Sequence, residues 1–288
     1  MSATIADGRR IDAHLHLWDL DVSDYAWLGP EHGELHASFT VDQARSELDA
    51  AGIDFAVLVQ AEDSAIDTAF LLQTANDNPW ILGVVGWVPL DDPRAAEEAL
   101  ERWGEHPAFC GVRQLVHDDP RDGVLSIPEV RRTLGLIAAR GLPFDVPDAW
   151  PRHLDAVADL AAALPELTIV VDHLAKPPIG GVDYAGWSLS LARVAEHPNT
   201  VAKVSGLHSA GTAYSAGALR PVWDTALEAF GPGRLIYGGD WPMSVPSGGY
   251  QATWAPIAEL IAELAPGEQR LVLAETAAAT YRLERGCG

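Results

Sequence analysis

The sequence predicts an α/β fold, a single-domain (β/α)8 TIM barrel that covers residues 1–288. Short apolar runs rich in β-branched residues alternate with longer Ala-, Leu-, Glu- and Arg-rich stretches of helical period. Eight such runs leave about 36 residues for each unit, the size of a strand–helix repeat. Repeated units of this kind place parallel strands under a layer of helices. The G-x-G-x-x-G turn of an open nucleotide-binding sheet is absent after the first run, and no linker divides the chain, so we expect one closed barrel.

The eight predicted strands are short segments in which Val, Ile and Leu predominate and which turn residues often bound. They cover 10–16, 54–60, 82–88, 111–116, 142–146, 168–173, 201–205 and 235–240. The predicted helices have apolar residues at i, i+3 and i+4, and several end at Gly or Pro. They cover 42–51, 64–76, 93–103, 128–140, 152–164, 188–196, 219–230, 254–264 and 268–283. Strands and helices therefore alternate along the chain, as a barrel requires.

The chain is strongly acidic, with 41 Asp and Glu against 19 Lys and Arg and a formal net charge of -22. This charge argues against nucleic-acid binding, which needs a basic face, and against anionic membranes. Residues 1–10 lack the apolar core of a signal peptide, and no stretch approaches the ~18 apolar residues of a membrane helix. The two cysteines are too few for a disulfide scaffold. We expect a cytoplasmic protein that acts on a small molecule. The sequence predicts no oligomeric state.

Polar residues end several predicted strands, and the chemistry of such barrels lies at these carboxyl ends. In the first strand His14 and His16 share one face, because alternate residues of a strand point the same way. Arg113 in the fourth strand is costly to bury without a partner or a ligand. In the sixth strand Asp172 and His173 should point in opposite directions, so at most one of them should face the barrel centre.

The last two strands add a lysine and a carboxylate. Lys203 lies in an apolar run of the seventh strand, and the chain has one other lysine, Lys176, also at a predicted strand end. Asp240 ends the eighth strand directly after two glycines, which permit close approach of another group. The residues expected at one barrel mouth are therefore His14, His16, Arg113, His173, Lys203 and Asp240.

The segment after the first strand is long and aromatic, with Trp18, Tyr25 and Trp27. Long loops without regular structure are usually functional or disordered, and the aromatic residues argue against disorder. The segment could cover a pocket and present ring faces to the C–H face of a sugar. Alternatively, the rings only pack the loop against the barrel.

Five segments together resemble one known family. They are Asp12-Ala-His-Leu-His-Leu-Trp-Asp19, Gly111-Val-Arg-Gln-Leu-Val116, Asp172-His-Leu-Ala-Lys-Pro177, Lys203-Val-Ser-Gly-Leu207 and Tyr237-Gly-Gly-Asp-Trp-Pro242. The chain resembles the amidohydrolase superfamily, and more closely its amidohydrolase family 2 branch, which holds sugar-lactone and pyrone-dicarboxylate lactonases. The resemblance runs nearly end to end and implies a (β/α)8 barrel that hydrolyses a substrate at its mouth.

The resemblance also implies roles for single residues. Asp240 resembles the residue that activates water, and the three histidines His14, His16 and His173 resemble groups that bind a metal or polarise the substrate carbonyl. Substrate contacts are expected from Arg113, Lys203, Trp18, Trp27 and Trp241.

The resemblance leaves the cofactor open between no metal and one divalent cation, with zinc preferred. Three N/O ligands and a water make a catalytic zinc site, and His14, His16 and Asp240 would supply them. Metal-dependent relatives usually add a ligand from the fifth strand, but here that strand carries Asp145 and no His. The fourth strand also lacks a bridging Lys or Glu, so a binuclear centre is not expected.

These expectations combine in a hydrolase that opens a neutral sugar (aldono) lactone by water attack, with Asp240 as general base. Beyond Arg113, Lys176 and Lys203 the strand ends offer few bases, so a dicarboxylated pyrone suits the mouth less well. Two alternatives stay open. The same barrel mouth could serve a decarboxylase or hydratase of an aromatic or small carboxylic acid, or the chain could be a catalytically silent barrel used for binding.

Overall fold

Eight parallel strands form one sheet whose spatial order follows the sequence, in a computed structural model that describes residues 8–208 and 214–283. The strands are β1 Ile11–Leu15, β2 Phe55–Val59, β3 Ile81–Gly86, β4 Phe109–Arg113, β5 Phe144–Val146, β6 Ile169–Val171, β7 Thr200–Val204 and β8 Leu235–Tyr237. Each overlaps a predicted strand. The predicted (β/α)8 barrel is therefore confirmed, and the carboxyl ends of all eight strands meet at one mouth.

The α-helices lie outside the strands. They are α1 Val41–Ala51, α2 Ala65–Asp77, α3 Pro93–Gly104, α4 Pro128–Ala139, α5 Leu154–Ala163, α6 Tyr184–Ala195, α7 Ala216–Phe230, α8 Gly249–Ile261, α9 Pro266–Arg270 and α10 Thr276–Tyr281. A π-helical segment, Leu271–Glu275, joins the last two, so the long helix predicted at the C-terminus is divided. In the described part of the chain no helix combines the length and apolarity needed to cross a membrane.

Helix boundaries follow local chemistry. The Thr40 hydroxyl accepts a hydrogen bond from the backbone N–H of Gln43 and so caps the start of α1, and Gly52 ends that helix in the left-handed region at φ 68°. At the start of α3, Asp92 accepts from two backbone N–H groups, and Pro93 occupies the first helical turn, where no N–H is needed. These caps fix where each helix begins and hence the lengths of the loops around the mouth.

The barrel closes between β1 and the segment that follows β8. The backbone N–H of Asp240 donates to the His14 carbonyl at 2.8 Å, and the N–H of His16 donates to the Trp241 carbonyl at 2.8 Å. A Cβ on Gly238 would lie 2.5 Å from the Cβ of His14, so glycine is required for this approach. The closure therefore brings Asp240 against the two histidines of β1.

Part of the aromatic segment after β1 serves packing. Trp18 and Tyr25 are fully buried. The indole N–H of Trp18 donates to the Ala37 carbonyl at 2.7 Å, and the hydroxyl of Tyr25 donates to Asp67 Oδ1 at 3.1 Å. Asp67 also accepts from the backbone N–H of Ala61 at 3.0 Å, so this carboxyl ties the segment to the loop after β2.

Asp67 makes stability depend on pH. Burial raises its pKa from 3.8 to about 7, so the folded state keeps a proton that the unfolded state releases near pH 4. Stability should therefore fall as pH rises between these values and stay level above about pH 7. The Asp67→Asn variant lacks this titrating proton. Between pH 5 and pH 8 the wild type should therefore lose roughly 3 kcal/mol of its free energy of unfolding relative to the variant, with a slope of about 1.36 kcal/mol per pH unit up to pH 7.

Chemical denaturation at several pH values measures this difference. Asp42 is an exposed aspartate at the start of α1, so Asp42→Asn serves as the control and should keep a constant difference from the wild type. A difference between Asp67→Asn and the wild type that does not change with pH would contradict the assignment.

Candidate active site

Two imidazoles from β1 and its end form the centre of the mouth. The Nε2 atoms of His14 and His16 lie 3.1 Å apart, as their alternation along one strand predicts. His16 Nδ1 lies 2.8 Å from the Val59 carbonyl oxygen, which can only accept, so that nitrogen carries the proton and Nε2 offers a lone pair. Burial lowers the pKa of His14 well below its usual value, which keeps this imidazole neutral.

Asp240 faces both of these imidazoles and a third. Its Oδ1 lies 3.5 Å from His16 Nε2, 3.8 Å from His14 Nε2 and 4.0 Å from His173 Nε2. Burial favours the neutral acid, but the surrounding imidazoles, His173 first, outweigh it and hold the pKa of Asp240 well below its usual range. The carboxylate is therefore ionised in a nearly dry environment, where it can accept a proton or bind a cation.

The residues predicted as metal ligands fit a divalent ion. Ligand atoms of His14, His16 and Asp240 all lie within 4.8 Å of one another, and all three side chains are buried. Their pairwise distances of 3.1 to 3.8 Å bracket the roughly 3.3 Å between ligand atoms of a tetrahedral zinc ion with bonds near 2.0–2.1 Å. Two nitrogens and a carboxylate oxygen are also the donor set that such an ion accepts.

His173 and Asp172 both face the barrel centre, so the sequence prediction that at most one of them would do so was wrong. Strand β6 ends at Val171, and His173 and Lys176 have positive φ of 56° and 62°. This left-handed turn redirects the chain, and the alternation of a strand no longer applies. Asp172 points back into the barrel beneath His14, and His173 stays beside Asp240 with its Nδ1 2.9 Å from the Ser205 hydroxyl.

Lys203 lies below the mouth and not in it. Its fully buried Nζ is 2.6 Å from Asp145 Oδ2, 3.1 Å from Asp172 Oδ1 and 3.2 Å from His14 Nδ1. Tyr281 from the C-terminal helix donates to the same oxygen of Asp145 at 2.7 Å. The substrate contact expected of Lys203 is therefore not supported, since two carboxylates hold its ammonium among buried side chains. The fifth-strand Asp145 serves this ion pair.

A cavity of about 380 Å³ opens above the imidazoles, a volume typical of small-molecule sites. Among the described residues, the lining side chains are His16, Trp18, Trp27, His32, Ala61, Arg113, Leu115, His117, Asp118, Asp148, His173, Lys176, Asp240 and Met243. Trp18 and Trp27 both line this cavity, Trp18 as a fully buried side chain beneath its surface. Trp241 does not: it is buried with its ring edge-on to Phe39, 5.3 Å between centroids, because its backbone pairs with β1.

Arg113 reaches the cavity while its guanidinium is held on two sides. Its Nη1 donates to the Gln60 carbonyl at 3.0 Å, and its Nε lies 3.2 Å from Asp172 Oδ2. The sequence is compatible with either an ion pair or a ligand at this arginine, and the structure allows both. A guanidinium fixed in this way presents its remaining N–H groups in a set direction.

Sequence reasoning missed other polar residues of the mouth. Asp148 has φ 44°, and its buried Oδ1 has no hydrogen-bond partner among the described residues. Lys176, which the sequence placed at a strand end without a specific role, also lines the cavity, and its Nζ lies 3.9 Å from Asp148 Oδ2. His208 Nε2 lies 3.8 Å from Asp240 Oδ2, and its position shortly after β7 was the only sequence signal for it.

Residues 11–283 match the profile of the protein family described as Amidohydrolase. The chain belongs to this family. A curated relative, L-fucono-1,5-lactonase from Burkholderia ambifaria, is 31% identical over 284 residues, and the match covers 97% of each chain. The resemblance drawn from the five motifs is thereby confirmed.

Solved amidohydrolase structures agree with this assignment. A crystal structure of an amidohydrolase from Burkholderia multivorans with bound HEPES is 28% identical, has a TM-score of 0.86, and covers 96% of this chain and 100% of its own. Another from the same species, with bound zinc, is 29% identical, has a TM-score of 0.84 and the same coverage. This amidohydrolase is therefore an enzyme of the hydrolase class, and its His and Asp side chains form a group suited to a divalent metal.

Proposed function

We propose that this amidohydrolase opens the ring of an uncharged aldonolactone, with Asp240 as general base. The observation that carries the proposal is the convergence of one buried carboxylate and three imidazoles at the base of the cavity. The relative named L-fucono-1,5-lactonase supports the substrate class, because it matches this chain over nearly its whole length. A catalytically silent barrel would have no reason to assemble this set at one cavity.

The walls of the cavity suit a sugar ring. Trp27 lies on one side, where its indole N–H donates to the Ala61 carbonyl at 2.8 Å and its ring packs edge-on against Trp18. Aromatic faces of this kind pack against the C–H face of a sugar. The opposite wall offers Asp148 and Lys176 for hydroxyl groups. Carboxylates around the opening, Asp118 among them, disfavour a substrate that itself carries carboxylates.

We assign the metal site to one zinc ion held by His14, His16 and Asp240. When bound, such an ion supplies Lewis acidity that polarises the carbonyl and lowers the pKa of a coordinated water. The related structure with bound zinc supports the identity of the ion. The ion pair of Lys203 and Asp145 below the site supports one ion over two, since it fills the fifth-strand position.

The protein side chains move and position the proton. Asp240 takes a proton from the attacking water, whose oxygen forms a bond to the carbonyl carbon. The bond between that carbon and the ring oxygen then breaks, and Asp240 returns the proton to the leaving alkoxide, so that a hydroxy acid results. Arg113 holds the substrate, and His173, itself fixed by Ser205, faces the reacting carbonyl.

A panel of sugar 1,4- and 1,5-lactones, with L-fucono-1,5-lactone first, tests the substrate class. Acid release followed with a pH indicator should show turnover of at least one neutral lactone and none of a pyrone dicarboxylate. Absence of hydrolysis for every lactone by zinc-replete enzyme would overturn the proposal. Benzoate-like acids belong in the same panel, and their consumption would support the decarboxylase or hydratase alternative.

Chelation tests the metal assignment in the same assay. We expect hydrolysis to be lost after treatment with a chelator and to return when one equivalent of zinc is added. Without the ion, His14, His16 and Asp240 hold no Lewis acid that could polarise the carbonyl. Hydrolysis that persists in demonstrably zinc-free enzyme would show that these residues act alone and would contradict the metal site. Zinc content determined by elemental analysis controls for incomplete removal.

A further inference from the structure

The hydrogen bonds around His14 favour the tautomer that cannot bind a metal through Nε2. His16 Nδ1 carries its proton towards the Val59 carbonyl, so His16 Nε2 is an acceptor. With His16 as a neutral imidazole, the facing Nε2 of His14, 3.1 Å away, is the donor of that contact. The remaining nitrogen, His14 Nδ1, is left with a lone pair, and the Lys203 ammonium lies 3.2 Å from it as a donor.

A metal bound at Nε2 of His14 requires the opposite arrangement, with the proton at Nδ1. Lys203 has no acceptor to offer there, since an ammonium only donates. Asp172 Oδ1 lies 3.4 Å from the same Nδ1 and 3.1 Å from Lys203 Nζ. Both contacts are fully buried, so no water replaces them. A carboxylate beside the far nitrogen of a metal-ligating histidine is the usual device that fixes its tautomer.

We propose that Asp172 is a positioning residue that selects the metal-binding tautomer of His14 by accepting its Nδ1–H. The inference rests on the proposed metal site and adds a role for a residue outside it. Lys203 acts as the competing partner: its ammonium donates to an unprotonated Nδ1, and it keeps its two carboxylates alone when Nδ1 is itself the donor. Arg113, 3.2 Å from Asp172 Oδ2, holds the carboxylate in place for this exchange.

The chain provides a matched control for this proposal. Asp145 is also a fully buried aspartate paired with Lys203, at 2.6 Å, and its other partner is Tyr281. An asparagine at position 145 can keep both contacts through its carbonyl oxygen. An asparagine at 172 has only one carbonyl oxygen. That oxygen cannot face Arg113 on one side and His14 and Lys203 on the other at the same time. Each substitution removes one of the two negative charges that contact Lys203.

Zinc affinity measured by competition with a chromophoric chelator tests the proposal. We expect Asp172→Asn to bind zinc about 10- to 100-fold more weakly than the wild type, the usual effect of losing such a partner, and Asp145→Asn to stay close to the wild type. Unchanged affinity in Asp172→Asn, or an equal loss in both variants, would overturn the proposal. A wild type that binds no zinc would overturn the metal site as well, which separates the two failures.

A measurement on the wild type covers the case in which Asp172→Asn does not fold. Long-range proton–nitrogen correlation spectra of protein labelled with ¹⁵N-histidine distinguish protonated from unprotonated ring nitrogens. The signals of His14 are assigned by their absence from a His14→Gln variant. We expect the proton at Nε2 in metal-free protein and at Nδ1 after one equivalent of zinc. A proton that stays at Nε2 of His14 after zinc is bound would contradict the proposal.

Discussion

The Asp240→Asn variant is expected to lose most of its turnover, with kcat lower by roughly 100- to 10,000-fold, the range of general acid–base catalysis. Asparagine has nearly the same shape and can keep a carbonyl oxygen towards the imidazoles, but it cannot take a proton from water. The backbone N–H of residue 240 still donates to the His14 carbonyl, so barrel closure should persist. The loss should therefore lie in kcat, with the fold intact.

Steady-state kinetics on a turned-over lactone at saturating zinc measures this effect, and bound zinc should be determined in the same samples. A low kcat in a variant that still binds zinc would show that the loss comes from the missing base and not from a missing metal ligand. Asp67→Asn is the control, because it makes the same chemical change at another buried carboxylate and should keep most of the turnover. Near-wild-type kcat in Asp240→Asn would remove Asp240 from the role of base.

Most of the barrel could be predicted from local signals. Parallel strands that are buried on both faces have short apolar runs as their sequence, and each of the eight predicted runs overlaps an observed strand. Helix starts such as Pro93 follow from capping residues next to them in the sequence. These features depend on neighbours within a few residues, which is why a single sequence carries them. The division of the last helix by a π-helical segment has no comparable local signal.

The candidate site was predictable where strand alternation holds and not where the backbone leaves the strand. His14 and His16 lie within or directly after β1, so their shared face followed from spacing alone. Asp172 follows β6 directly, but the chain leaves the strand conformation at His173, whose φ is positive, and the sequence does not show which non-glycine residues adopt that conformation. The prediction that at most one of the two faces the barrel centre therefore failed.

Contacts between side chains of different strands were the other feature that the sequence did not show. The sequence marked Lys203 as a buried cation that needs a partner, but not that Asp145 and Asp172 from the two preceding strands supply it. We expected Lys203 to contact substrate because these two carboxylate partners were not known from the sequence. Trp241 was misplaced for a related reason, since its pairing with β1 turns the ring towards Phe39. Such contacts depend on register and on loop paths, which spacing does not specify.

Replacement of Lys203 by methionine should destabilise the protein by about 3–5 kcal/mol, the usual cost of removing one partner of a buried ion pair. Methionine fills much the same volume without the charge. Asp145 and Asp172 then remain in the barrel interior without the ammonium that lies 2.6 and 3.1 Å from them. Burial already raises the pKa of Asp145 to about 6, so measurements at pH 8 keep both carboxylates ionised in the wild type. Denaturant unfolding measures the loss.

The second lysine of the chain provides the control. Lys176 is partly exposed and lies 3.9 Å from Asp148, so Lys176→Met should change stability by about 1 kcal/mol or less. A Lys203→Met variant as stable as the wild type would show that the ion pair contributes no net stability.

A double substitution identifies the cause of the loss. In the wild type Asp145→Asn removes a favourable partner of Lys203 and should destabilise, whereas in the Lys203→Met background it removes an unpaired buried charge and should stabilise. The change of sign is the evidence, because a substitution that acted only through packing would have the same effect in both backgrounds. Equal effects of Asp145→Asn in the two backgrounds would mean that the loss comes from the shape of residue 203 and not from its charge.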